Sequence, residues 1–234
     1  MTMAESNQFC TFTPQNFPKW TIWQMISGKA TPNWKWLHQH GGMQQIWAYK
    51  RAWVSYNKLR ILSSANLQQI PPDLLGCVAY NEAGGKAPYI KHHFALPLRQ
   101  YVPGAGDPMA TSEGAIKIQL RNALSAMGYN GAPLTHEQQG ELTDCLETDV
   151  FNIDVVAKFL RQTILRDYPT ANTRSLTDEQ FMVAGIRYNR GTARSIKDLK
   201  ESMASPKDTL KREWSSYGRS MMEHRTEVKA LLGI

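Results

Sequence analysis

The sequence predicts a mainly α protein: helices gathered around one central helix, a long carboxyl-terminal helix, and at most a short hairpin between residues 86 and 112. Three observations carry this expectation. Apolar residues recur at helical spacing in several stretches, and none shows the sustained two-residue alternation of a half-buried strand. Pro opens and Gly closes some of these stretches, the asymmetry that helix ends favour. The chain has 234 residues, 42% hydrophobic and 20% charged, which is long enough to bury a core and too apolar for a disordered polymer.

Residues 1–33 are rich in Pro, Thr, Asn and Gln and read as an irregular arm; residues 34–234 read as the folded domain. Trp34 to Asn66 reads as helical, with Trp34, Trp36, Trp47 and Trp53 within twenty residues. Those rings suit a core, and aromatic faces also stack on sugars. Residues 70–83 form the most informative helix. Pro71 and Pro72 suit its first turn, Leu75, Val78, Ala79 and Glu82 share one face, and Gly84 and Gly85 end it. A long connection through Pro88, His92, His93, Pro97, Pro103 and Gly106 follows, then helices over about 114–127, 136–147 and 152–166. Another begins after Thr177, where Thr177 and Gln180 spell a capping box and Leu176 with Phe181 a hydrophobic staple, and it stops at Gly191. Over 206–232, Leu210, Trp214, Tyr217, Met221, His224, Val228 and Leu231 form the stripe of one long helix.

A net charge of +7 points to polyanionic partners, either nucleic acid or a carboxylate-rich bacterial wall. No apolar run reaches the ~20 residues of a membrane span, and Met1 to Lys19 lacks the pattern of a signal peptide. Cys10, Cys77 and Cys145 are odd in number and far apart. They spell neither a disulfide framework nor a metal site, which predicts free thiols made in a reducing compartment. With no phosphate loop, nucleophile elbow or zinc pattern, neither a metal nor a cofactor is expected. His92 and His93 read as a polar loop pair.

Glu82 breaks a local rule. It stands where its helix face calls for another apolar residue. Burial there disfavours the carboxylate, and the negative end of the helix dipole adds to this. A carboxyl kept protonated near neutral pH is the general acid that glycosidic cleavage needs.

The run from Ile70 to Glu82 resembles the catalytic helix of the soluble lytic transglycosylases and goose-type lysozymes. Three further stretches follow in that family's order. Thr111 to Gln119 resembles its Ser, Gly-Ala and Met-Gln segment; Asn152-Ile153 with Phe159-Leu160 resembles its Asn-Ile and Tyr-Leu helix; Arg187 to Gly191 resembles its Ala-Tyr-Asn-x-Gly segment. Together they span about residues 70–195. Ala83 replaces the family's usual Ser, and Ile116 to Gln119 departs from its Gly-Leu-Met-Gln.

The resemblance implies a lysozyme-like α+β fold and cleavage of peptidoglycan between N-acetylmuramic acid and N-acetylglucosamine. Glu82 would be the acid, with Ser112, Gln119, Tyr188 and Asn189 lining the cleft. Tyr188 would orient the Glu82 carboxyl or the intermediate, and the amides of Gln119 and Asn189 would hold N-acetyl groups. Hydrolysis, slightly preferred, needs a second carboxylate or a positioned water, for which Asp107 and Glu113 are the candidates; transglycosylation needs Glu82 alone. The expected partners are peptidoglycan, a cognate immunity protein and a secretion-apparatus carrier, with neither nucleic acid nor membrane insertion. The chain is then expected to be made in the cytoplasm and to act in the periplasm of a target cell, as an injected effector in preference to a phage endolysin. A non-catalytic wall-binding module and a basic nucleic-acid binder are the rivals.

Overall fold

The computed structural model describes residues 5–12, 16–17, 43–84, 88–207 and 209–234. The protein is mainly helical. Its central helix spans Pro72–Glu82, and Asp73 through Tyr80 are all buried. In chain order the helices are α1 (Met43–Tyr56), α2 (Lys58–Leu67), α3 (Pro72–Glu82), α4 (Pro88–Tyr101), α5 (Leu120–Met127), α6 (His136–Leu146), α7 (Asp149–Asp167), α8 (Asp178–Arg190), α9 (Ile196–Ala204), α10 (Leu210–Glu213) and α11 (Ser216–Leu232). Two antiparallel ribbons accompany them among the described residues. In the first, β1 (Glu5–Ser6) pairs with β2 (Thr11–Phe12). In the second, β3 (Ser112–Glu113) pairs with β4 (Ile118–Gln119).

Helix α3 packs against α1, α2, α7, α8 and α11. Pro72 opens it at a position where the missing N–H costs no hydrogen bond. The buried Asp73 ties its first turn to α11 through Arg225, Nε to Oδ2 2.7 Å. Met221, Val228 and Leu232 of α11 join Leu74, Leu75 and Val78 in one core. The capping box at Thr177 forms as the spacing predicts, with the Thr177 hydroxyl accepting from the Gln180 N–H at 3.2 Å.

Four expectations are corrected. The stretch read as a connection after Gly85 contains α4, because Pro88 sits in its first turn, where proline does no harm, and Pro97 is accommodated inside. Residues 112–119 are a hairpin and α5 begins only at Leu120, so the hairpin lies just beyond the 86–112 window. The carboxyl-terminal stripe is two helices, broken at Trp214 and Ser215. Ser215 is fully buried, and its hydroxyl donates to the Arg212 carbonyl and accepts from Ser202, a side-chain alternative to helical pairing. Leu210 is left 87% exposed, outside the stripe.

The fourth correction concerns the cysteines. Cys10 and Cys145 form a disulfide across 135 residues, and Cys77 alone is a buried free thiol. The bridge fastens the amino-terminal arm to α6. Asn7 donates to the Glu141 carbonyl at 2.9 Å, Asn16 and Asp149 bond at 2.8 Å, and the Phe17 N–H donates to the Asp149 carboxylate at 2.8 Å. Trp34, Trp36, Gly85, most of the arm and the side chains of His92 and His93 lie outside the described residues. No described helix is long and apolar enough to cross a membrane.

Candidate active site

Glu82 is the last residue of α3 and is half-buried. The chain leaves the helix through Ala83, whose N–H returns to the Ala79 carbonyl at 2.8 Å, and Gly84. Gly84 has φ +71°, and a Cβ there would lie 2.4 Å from the Tyr49 ring. Glycine alone makes this exit without strain, so the end of α3 is held in place by backbone geometry as well as packing.

The β3–β4 hairpin forms the facing wall. Its register sets Ser112 opposite Gln119 and Glu113 opposite Ile118. Strand side chains alternate between faces, so Glu113 and Ile118 are buried while Ser112 is exposed and Gln119 half-exposed. Asn152 of α7 pins the hairpin loop from below. It accepts from the Ile116 N–H at 2.8 Å and donates to the Ile116 carbonyl at 3.0 Å. Gly114 has φ +85°, and a Cβ there would fall 2.3 Å from the Asn152 amide.

Helix α8 supplies the third wall. Tyr188 is 8% exposed and its hydroxyl donates to the Lys117 carbonyl at 2.8 Å, which links α8 to the hairpin. Burial, with the Glu82 charge nearby, pushes its pKa well above the ordinary value. Its one proton thus goes to the hairpin, and towards Glu82 the hydroxyl can only accept. Asn189 follows, exposed at the rim.

Glu82, Ser112, Gln119, Tyr188 and Asn189 therefore line one cleft of about 260 Å³, together with Lys117, Asn122, Phe159 and Arg190. Four segments far apart in the chain meet there. A second, shallower depression of about 410 Å³ adjoins it through Asn189 and is lined by Trp47, Lys50, Asn81, Tyr217 and Ser220. Trp53, by contrast, is core.

The two proposed second carboxylates do not reach the cleft. Asp107 caps a short 3₁₀ turn, accepting from the Met109 N–H at 2.8 Å, and pairs with Arg121 at 3.2 Å. Glu113 points inward because it follows the exposed Ser112 in its strand. Among the described residues, Glu82 is the one carboxylate lining either depression. Outside the described part, residues 1–4, 13–15, 18–42 and 85–87 contain neither Asp nor Glu, and residue 208 is Asp.

Two neighbours of Glu82 escaped the reading of the sequence. Tyr217 of α11 has a fully enclosed hydroxyl that completes no hydrogen bond of standard length. It lies close enough to Glu82 for burial and the carboxylate to hold its proton well beyond the ordinary range. Lys50 of α1 is 1% exposed and donates to the carbonyls of Tyr80 at 2.8 Å and Asn81 at 2.6 Å. Both lay in plain view. Lys50 interrupts the buried row Ile46, Trp53 and Val54 of its helix, the same signal that singles out Glu82, and Tyr217 belongs to the apolar stripe of the carboxyl-terminal segment.

Comparison with protein-family models, with curated proteins and with solved structures finds no match to this chain.

Proposed function

We propose that the protein cleaves the glycan strands of bacterial peptidoglycan between N-acetylmuramic acid and N-acetylglucosamine, with Glu82 as general acid. The observation that carries this reading is the convergence of Glu82 with Ser112, Gln119, Tyr188 and Asn189 on one cleft. The cleft that holds the acid adjoins a second depression at Asn189, an arrangement that suits a polymer running through both. Hydroxyls, amides and the half-buried Trp47 suit sugar rings. Lys117 and Arg190 suit the carboxylates that the wall polymer carries.

Among the described residues the cleft holds one carboxylate, which suits transglycosylation better than the hydrolysis that the sequence slightly preferred. A retaining hydrolase needs a second carboxylate about 5 Å from the first, and an inverting one needs it about 6.5–9.5 Å away. With one acid, Glu82 gives its proton to the leaving oxygen and the bond from that oxygen to muramic C1 breaks. The muramic C6 oxygen then bonds to C1, and its proton passes to the Glu82 carboxylate, which restores the acid. No water is consumed. The Cys10–Cys145 disulfide supports action in an oxidising space such as the periplasm. An injected antibacterial effector, carried by a secretion apparatus and neutralised in its producer by an immunity protein seated over the cleft, fits this setting.

Mass spectrometry of muropeptides released from purified sacculi tests the reading. Anhydro ends are expected. Reducing ends would replace ring closure by hydrolysis, and no released fragments would refute the activity. Glu82→Gln should lower the rate by about 10²- to 10⁴-fold, the usual contribution of general acid catalysis, while sacculus binding persists.

A further inference from the structure

The last carbonyls of an α-helix lack partners within the helix, and their negative ends favour protonation of a carboxyl placed among them. In α3 the Ala79 carbonyl is taken by the Ala83 N–H. The next two, Tyr80 and Asn81, immediately precede Glu82, and both accept from the Lys50 ammonium. Lys50 reaches them from α1, from a row of buried residues where Leu or Met would pack without burying a charge. It borders the depression that adjoins the Glu82 cleft.

We infer that Lys50 is the positioning residue of the acid: its ammonium closes the carboxyl end of α3 and sets the proton affinity of Glu82. This rests on the function proposed above. A cation at this place offsets the dipole of the helix end and favours the carboxylate that Glu82 becomes after giving up its proton. A single acid that first donates and then accepts requires such a balance, since burial alone would leave it reluctant to ionise. Burial lowers the Lys50 pKa to about 8, and attraction to Glu82 opposes that fall. The other titratable groups about this corner are Tyr49 on α1, Lys117 in the hairpin, Tyr188 and Arg190 on α8, and Tyr217 and His224 on α11. Glu227 of α11 is engaged by Arg51 and by the Tyr80 hydroxyl.

The test uses the full chain with ¹³C-labelled Glu, the Glu82 carboxyl resonance being assigned by its loss in Glu82→Gln. Lys50→Met should raise the Glu82 midpoint by about one pH unit or more, since a cation within a few ångströms typically shifts a carboxyl by that much. It should also lower kcat for sacculus cleavage about tenfold or more with KM little changed, and Lys50→Arg should restore most of the midpoint. In the unaltered protein the Glu82 resonance should show a second step that coincides with the titration of Lys50 Cε. This measurement decides the matter if Lys50→Met does not fold. A folded Lys50→Met with an unmoved Glu82 midpoint, or no coincident step in the parent, overturns the inference. Failure of the parent to release muropeptides would sink the proposed function and leave the titration result standing.

Discussion

Asn152→Ala probes whether the hairpin wall depends on one buried side chain. Asn152 is fully buried and makes two hydrogen bonds to the main chain of Ile116, at 2.8 and 3.0 Å. Ile116 is itself fully buried. Truncation removes both partners and leaves an N–H and a carbonyl sealed from water, each costing about 1–3 kcal/mol. Allowing for some relaxation, the loss should be about 2–4 kcal/mol. In a domain of this size that lowers Tm by roughly 5–15 °C. The effect should concentrate in the loop. Hydrogen exchange at the Ile116 amide should quicken by about 30- to 1000-fold, at tenfold per 1.4 kcal/mol. Amides in the middle of α3 should change only as far as global stability does. Ser112 and Gln119 ride on this hairpin, so oligosaccharide binding should weaken while the Glu82 titration stays put. Asn152→Asp should be at least as damaging, because it loses the donor and buries a charge. Unchanged exchange at Ile116 with a Tm within 1 °C of the parent would show that the hairpin does not depend on Asn152.

Two further outcomes follow from the same structure. Replacing Cys10 by Ser, or reducing the protein, removes a cross-link spanning 135 residues. Calorimetry should then show a loss of about 2–5 kcal/mol and proteolysis should begin in the amino-terminal arm; an unaltered melting curve under reductant would contradict the pairing. Stability should also vary with alkaline pH in a defined sense. Lys50 releases its proton near 8 when folded and at 10.5 when unfolded, so the unfolded state binds more protons between those values and stability rises with pH, by about 1 kcal/mol from pH 8 to 9 on account of Lys50. Cys77 has its pKa raised by burial from 9.0, so above pH 9 the folded state retains its proton and cancels the gain. Tyr188 and Tyr217, raised by burial from 10.0, turn the slope negative above pH 10. Denaturant titrations at half-unit pH steps should trace this rise, plateau and fall, and Lys50→Met should lack the rise.

How much of this protein was legible beforehand depended on the range of the signal. Helix starts and stops are decided within a few residues, so Pro72, the Thr177–Gln180 box and the Gly191 stop could be read directly. The placement of α3 at the centre also followed from its apolar run, and Glu82 stood out as a charge on that run. The break at Ser215 could not be read, because it depends on a hydroxyl that Ser202 of another helix helps to satisfy. Nor could the turning of Glu113 away from the cleft, since a one-residue change of register turns a strand's side chains to the opposite face.

What the sequence by itself determined was local: the mainly helical character, the faces and ends of most helices, and the candidate acid, while the segments expected around that acid were what the family resemblance implied. Only the tertiary structure decided which side chains from distant segments satisfy the same buried groups. It joined Cys10 to Cys145, set Asn152 beneath the hairpin, and brought Lys50 from α1 to the carbonyls that precede Glu82. The physical reason is that capping and amphipathic spacing act through the chain over one or two turns. Disulfide closure and buried hydrogen bonds require partners that only the packing of whole helices brings together.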